Sequence, residues 1–236
     1  MGTAKNSNIE ILIGTVNLLG PLADEMVFLG GCATGLLVSD PASPSVRITK
    51  DVDVIVEVAT LGEYQRLSGE LRKRGFREDI SPEAPVCRWK AGGSVLDVMP
   101  TNPKILGFGN RWFGPALQTA TSIELSARRT IRLVTGPYFL ATKFEAFEGR
   151  GKGDYLLSHD MEDIVAVLDG RPELIGEIRE SSKKLRAYLS EKLVGMFNDP
   201  QFIDALPGHL SPDMASQARL PLLLERIREI IRIATT

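Results

Sequence analysis

Asp51 and Asp53 stand two residues apart at the start of an apolar run that continues through Val54, Ile55 and Val56. Strand side chains alternate between faces, so the two carboxylates point one way and Val52 and Val54 the other. Two like charges at strand spacing repel, and aspartate is a poor strand former. Such a pair is best explained by a cation or proton held between the carboxylates. The plainer alternative is a solvated pair on an edge strand, where charges are common. Hard divalent cations such as magnesium take carboxylate and phosphate oxygens. Upstream, Phe28-Leu29-Gly30-Gly31 ends a short apolar run on two glycines. A Gly-Gly turn that opens a helix presents bare backbone N–H groups to a phosphate. Equally, one of the two glycines is explained by a strand-to-helix turn that needs positive φ. Downstream, Asp97 sits in Ser94-Val95-Leu96-Asp97-Val98-Met99, with Leu96 and Val98 on the opposite face. A neighbouring strand would bring it beside Asp51 and Asp53, making three candidate metal ligands.

Other residues admit two readings each. Cys32 follows the glycines as a small buried hydrophobe without assigned reactivity, and Thr34 is the nearby hydroxyl. Lys143 shares a helical face with Phe139 and Phe147, either snorkelling from the edge of a core or aimed into a cleft. Asp160 and Asp163 lie at i and i+3 between Leu156 and Val167. They pair with Lys143 or with arginines structurally, or they belong to a site. Arg128, Arg129 and Arg132 are candidates for a nucleic-acid groove, and Arg150 and Lys152 for closing over a triphosphate or RNA backbone. Arg226, Arg228 and Arg232 read as a solvated face.

The 236 residues allow one large domain or a core with a helical annex. A formal net charge of −2 advertises no general field for nucleic acid. Cys32 and Cys87 are the only cysteines, which suits a reducing compartment rather than a disulfide scaffold. His159 and His209 are too few for a zinc site. The N-terminal residues Met1–Lys5 carry no signal-like apolar run, and no stretch reaches membrane-spanning length, so the expectation is a cytoplasmic protein without membrane contact.

The elements that must position these residues follow from periodicity. Leu12, Val16 and Leu19 mark a helix over 8–20, stopped by Gly20-Pro21. Strands are expected at 26–29 and 52–58, a helix at 32–38, and a loop at 39–46. Leu61–Arg74 reads as a helix, and 86–90 with 94–99 as a hairpin across Ala91-Gly92-Gly93. Residues 100–118 read as a long loop with a short helix, followed by strands at 123–125 and 130–134. A helix begins at Pro137, another runs from Asp154 to Leu168, and two or three more fill the remainder. The fold class is α+β: a mixed sheet flanked by helices in 1–135, and a helical domain in 136–236 that completes the active-site cleft.

Glycines at a helix start, then Asp-x-Asp, then a later strand aspartate resemble the site plan of the polymerase-beta-type nucleotidyltransferases. More closely, Gly30-Gly31-Cys32-Ala33 and Arg47-Ile48-Thr49-Lys50-Asp51-Val52-Asp53 resemble the AbiEii-type nucleotidyltransferases, a group that includes toxins of type IV toxin–antitoxin systems. Leu140-Ala141-Thr142-Lys143-Phe144-Glu145-Ala146 is similar to that group's lysine helix, and His159-Asp160-Met161-Glu162-Asp163-Ile164 to its acidic helix. The likeness runs from about Met26 to Leu168. It implies magnesium (two ions, with manganese as a substitute) on Asp51, Asp53 and Asp97. Lys143 and Asp160 then join the catalytic set, and Gly30, Gly31, Thr34, Lys50 and Lys143 bind the nucleotide. Two departures stand out: Cys32 in place of a hydroxyl residue, and the insertion Ser39–Val46. The implied partners are a nucleoside triphosphate, an acceptor such as tRNA or another RNA, and a cognate antitoxin protein. Two rivals remain: a small-molecule nucleotidyltransferase of the antibiotic-modifying kind, and a non-catalytic nucleotide-binding module.

Overall fold

The run that begins at Asp51 becomes the parallel centre of a seven-stranded sheet. The structure, a computed structural model, describes residues 7–126 and 129–233. It divides into one unit of Met1–Gly35 with Ile48–Thr135 and another of Leu36–Arg47 with Gly136–Thr236.

In the first unit, α1 (Ser7–Leu19) buries Leu12, Val16 and Leu19, the stripe expected from its spacing. A 3-10 turn over Gly20–Glu25, with Pro21 at its start, leads to the fully buried β1 (Met26–Leu29). α2 (Gly30–Leu37) starts on the first glycine, two residues earlier than Cys32. After β2 (Asp51–Val56) comes α3 (Leu61–Lys73). Thr60 and Glu63 form a reciprocal capping box at its start. β3 (Arg77–Glu78), β4 (Arg88–Ala91), β5 (Ser94–Pro100), α4 (Phe113–Thr119), β6 (Thr121–Ser126) and β7 (Arg129–Leu133) complete the unit.

The strand order is β3-β4-β5-β2-β1-β7-β6. β2/β5 and β1/β7 are parallel and the other neighbours antiparallel, so the sheet is mixed and the α+β expectation holds. One face of its centre is dry: Val52, Val54, Leu96 and Val98 are each 0 % exposed. α1 packs against β2 and β5, and α4 against β2. The hairpin's first arm begins at Arg88 rather than Val86, which lies outside the strand and is exposed. β3 is too short to show alternation in sequence.

The second unit contains α5 (Gly136–Arg150), α6 (His159–Gly170), α7 (Leu174–Glu180), α8 (Lys183–Phe197), α9 (Pro200–Ala205), α10 (Met214–Gln217) and α11 (Leu220–Ile233). α5 packs on α6, and α8 on α11. α6 starts at His159, not Asp154, because Ser158 caps the Met161 N–H. Asp154 instead accepts from the Leu156 and Leu157 amides in the preceding turn. Five helices follow α6 among the described residues, more than the two or three expected; the extra ones are a turn or two long and carry little periodicity. Arg226 corrects its solvated reading. It is buried, and its guanidinium donates to the Leu168 and Asp169 carbonyls at the end of α6, where a cation suits the helix dipole. The segment from Leu36 to Arg47 is tied down here too. Ser39 and Asp40 amides donate to the Gly170 carbonyl, Arg171 to that of Leu37, and Arg219 to the Asp40 carboxylate. Among the described residues no helix is long and apolar enough to cross a membrane.

Candidate active site

Strand register assembles the first cluster. β5 pairs with β2 so that Asp97 lies opposite Asp53, and β4 pairs with β5 so that Arg88 lies opposite Asp97. Paired residues project from the same face, and Asp51 shares that face with Asp53. Four charged side chains therefore stand together across three adjacent strands, with Val52, Val54, Leu96 and Val98 on the other side. This is the convergence of Asp51, Asp53 and Asp97 that the sequence predicts.

Arg88 was not anticipated, and it ties the row together. Its Nε donates to Asp97 Oδ1 at 2.8 Å and its Nη2 to Asp97 Oδ2 at 2.7 Å, a two-pronged contact. The same Nη2 donates to Asp51 Oδ2 at 2.8 Å. The Asp97 hydrogen bonds, and then the charges of Asp97, Asp51 and Asp53, raise the guanidinium pKa against the opposing effect of burial. Asp51 also accepts from Thr49 Oγ1 at 2.6 Å, and the Thr49 amide donates to Asn8 Oδ1 at 3.0 Å. The site is half-open, with side-chain exposure of 33 % for Asp51, 24 % for Arg88 and 9 % for Asp97.

The carboxylate set suits a hard cation in kind and in its placement on one face. Its present arrangement suits an arginine: among the described residues no group of three or more His, Cys, Asp or Glu side chains is disposed to hold a metal ion. The guanidinium stands where the Asp51 and Asp97 oxygens converge.

Gly30 lies against this row. Its φ is +75°, and a Cβ there would fall 1.9 Å from Asp53 Oδ2. Both facts demand glycine, so the backbone at the start of α2 passes directly beside the Asp53 carboxylate. A negative charge there is favoured by the helix dipole. Gly31 is buried in the first turn of α2, and Lys50 is exposed just before β2. Thr34 does not take over the hydroxyl role left by Cys32. It is 0 % exposed, and its Oγ1 donates back to the Gly30 carbonyl at 3.3 Å. The Cys32 thiol donates to the Asn8 carbonyl, and burial, then the charges of Asp53 and Asp51, push its pKa up to about 12. It is a buried, protonated packing residue.

The second unit holds its own cluster. Lys143 Nζ donates to Asp160 Oδ1 at 3.0 Å and to Asp163 Oδ2 at 2.6 Å. Arg150 forks onto both Asp160 oxygens at 2.7 Å, and Arg47 reaches Asp163 at 3.1 Å. Asp160 and Asp163 are thus each bound by two cations, the structural pairing that the i, i+3 spacing allowed. Of the other candidate cations, Arg132 donates to the Leu117 carbonyl, while Arg128 lies outside the described residues. A groove of about 410 Å³, lined by Glu25, Glu57 and Arg66 among others, opens at the Val56 end of β2, away from Asp51.

No protein-family model matches the chain, and no curated protein matches it in sequence. Two solved structures from Helicobacter pylori are similar along almost their whole length. One is a crystal structure provisionally assigned as a nucleotidyltransferase, 12 % identical, covering 99 % of this chain and 98 % of its own, with a TM-score of 0.48. The other is JHP933, 13 % identical, covering 100 % of this chain and 95 % of its own, with a TM-score of 0.49. The functional argument therefore rests on the residues of this chain.

Proposed function

We propose that this protein is a nucleotidyltransferase that moves a nucleoside monophosphate from a triphosphate to an acceptor hydroxyl, with release of pyrophosphate. One observation carries the reading: Asp53 and Asp97 face each other across two central parallel strands, Asp51 lies on the same face, and Gly30 at the start of α2 touches the Asp53 carboxylate. Asp51, Asp53 and Asp97 would hold magnesium. The metal, when bound, supplies positive charge to the phosphates and lowers the pKa of the acceptor oxygen.

The chain's own groups do the rest. The first turn of α2, at Gly30 and Gly31, carries the N–H groups that a helix start leaves without helical partners, a type of donor suited to a phosphate oxygen. Asp53 or Asp97 takes the acceptor proton. The dry valine and leucine face behind the row fixes the strands, so the carboxylates keep their spacing without reorganisation. The resemblance in the Gly30–Asp53 block extends the proposal to an RNA end, such as that of tRNA, as acceptor, and to a toxin-like role with an antitoxin partner.

The test is Asp53→Asn, which keeps the size of the side chain and removes its charge. It is expected to abolish magnesium-dependent incorporation of labelled nucleotide, with the melting temperature unchanged or slightly raised as carboxylate repulsion is relieved. Normal transfer by the variant would exclude Asp53 from the chemistry.

A further inference from the structure

We propose that Arg88 is a resident counter-ion of the carboxylate row, which a divalent cation must displace from Asp51 and Asp97 before it can bind; this rests on the nucleotidyltransferase reading above.

The geometry points there in three steps. First, the contact is built by the fold rather than by a surface accident. Hairpin pairing sets Arg88 opposite Asp97, and the parallel β2/β5 pair carries Asp51 within reach of the same Nη2. Second, the guanidinium engages both Asp97 oxygens and one of Asp51, which are oxygens a hard cation needs. A guanidinium and a divalent ion on the same oxygens repel each other at a few ångströms, so they compete rather than share. Third, the exchange has a route. The Arg88 side chain is 24 % exposed and that of Asp51 33 %, so the arginine has solvent to swing into and the ion has an approach.

The consequence is a row whose repulsion is partly offset from within before any metal binds. Without Arg88, adjacent like charges on the central strands would repel. With it, the row stays assembled, and its affinity for a metal is set by what the guanidinium gives up. Arginine suits this role better than lysine, because its fork spans both Asp97 oxygens while reaching Asp51.

The test uses the full chain and Mn²⁺ as the probe, with free Mn²⁺ followed by electron paramagnetic resonance during titration. Arg88→Gln is expected to bind Mn²⁺ about tenfold or more tightly than the wild type, since a +1 competitor is gone. Arg88→Lys should fall between them, and Asp97→Asn should lose the site. Equal affinity of the wild type and Arg88→Gln, with Asp97→Asn still defective, overturns the counter-ion role and leaves the nucleotidyltransferase reading standing. Absence of Mn²⁺ binding in every protein overturns both. A second measurement needs no folded glutamine variant. In ¹⁵N-arginine-labelled wild type, the Arg88 Nε–H resonance, assigned by its loss in Arg88→Lys, should move on addition of Mg²⁺. A resonance unmoved at saturating metal overturns the proposal.

Discussion

The two charge clusters of this protein hold their aspartates in different ways. In the second unit Asp160 is held by Lys143 and Arg150, and Asp163 by Lys143 and Arg47, so each carboxylate has two cations. In the first unit one guanidinium serves both Asp51 and Asp97. The carboxylates differ in burial: Asp160 and Asp163 are 4 % and 2 % exposed and Asp97 9 %, against 33 % for Asp51. A buried charge needs full compensation to be tolerated, and the second cluster supplies it. A half-open row of carboxylates on one sheet face suits a ligand of positive charge. On the proposed reading, the second arrangement holds helices together and the first binds.

The largest effect is expected from breaking the compensated cluster. Lys143→Met keeps the apolar stem but removes the shared cation from two buried carboxylates, and should destabilise the protein by about 3 kcal/mol in urea unfolding. A loss below about 0.5 kcal/mol would mean that Arg150 and Arg47 suffice alone. The same variant should be titrated calorimetrically with a nucleoside triphosphate. Normal affinity keeps Lys143 structural, whereas a roughly thirty-fold loss would assign it to the phosphates.

Gly30→Ala tests the open cluster through its backbone. The left-handed conformation alone costs about 1–2 kcal/mol for a residue with a Cβ. The added methyl also collides with the Asp53 carboxylate, since its Cβ would lie 1.9 Å from Oδ2. A fall in melting temperature accompanied by loss of nucleotide transfer is expected. Wild-type transfer in a stably folded variant would show that the position of Asp53 is not critical.

Acid sharpens the contrast. Burial, the largest influence on Asp160, raises its pKa, but Arg150 and Lys143 together more than offset this and leave it below the usual carboxylate value. A depressed folded-state pKa contributes stability that is complete above the unfolded value of about 4 and lost as pH falls through the folded value. Stability measured from about pH 5 downward should fall accordingly, and Asp160→Asn should flatten that limb. An identical acid limb in the variant would remove Asp160 from the account.

Much of the open site was legible because strands obey short-range rules. The alternation in 51–56 and 94–99 fixed which side chains share a face, and Gly30-Gly31 marked the turn. Arg88 was hidden by one residue of register: the expected turn over Ala91-Gly92-Gly93 sets Cys87 opposite Asp97, whereas Ala91 pairs with Ser94 and brings Arg88 there. Thr49 was legible as a hydroxyl two residues before Asp51. The second cluster was visible only as possibilities. Arg47 is separated from Asp163 by more than a hundred residues, and no periodicity predicts that pairing. Arg226 was misread for a related reason: a charged residue in an amphipathic helix looks solvated until the carbonyls of another helix's end are placed beside it. The burial of Thr34 was not legible either, because burial cannot be read from a hydroxyl's position in a motif.

The smallest effect is the most telling. Asp51→Asn and Asp163→Asn make the same chemical change in the two clusters. At Asp163 the substitution removes an anion from between Lys143 and Arg47, leaving buried cations short of a partner, and should cost about 2 kcal/mol or more. At Asp51 it removes one of several carboxylates crowding a single guanidinium. Arg88 keeps its two-pronged contact with Asp97, and the amide oxygen can still accept from Nη2 or from Thr49. The lost charge-assisted bond is offset by relief of repulsion from Asp53 and Asp97, so the net change should lie within about 0.5 kcal/mol of zero. Paired urea titrations at neutral pH and moderate salt measure both. Equal costs at the two positions would show that Asp51 is as much a structural ion-pair member as Asp163, and the half-open carboxylate row would then no longer point to a bound cation.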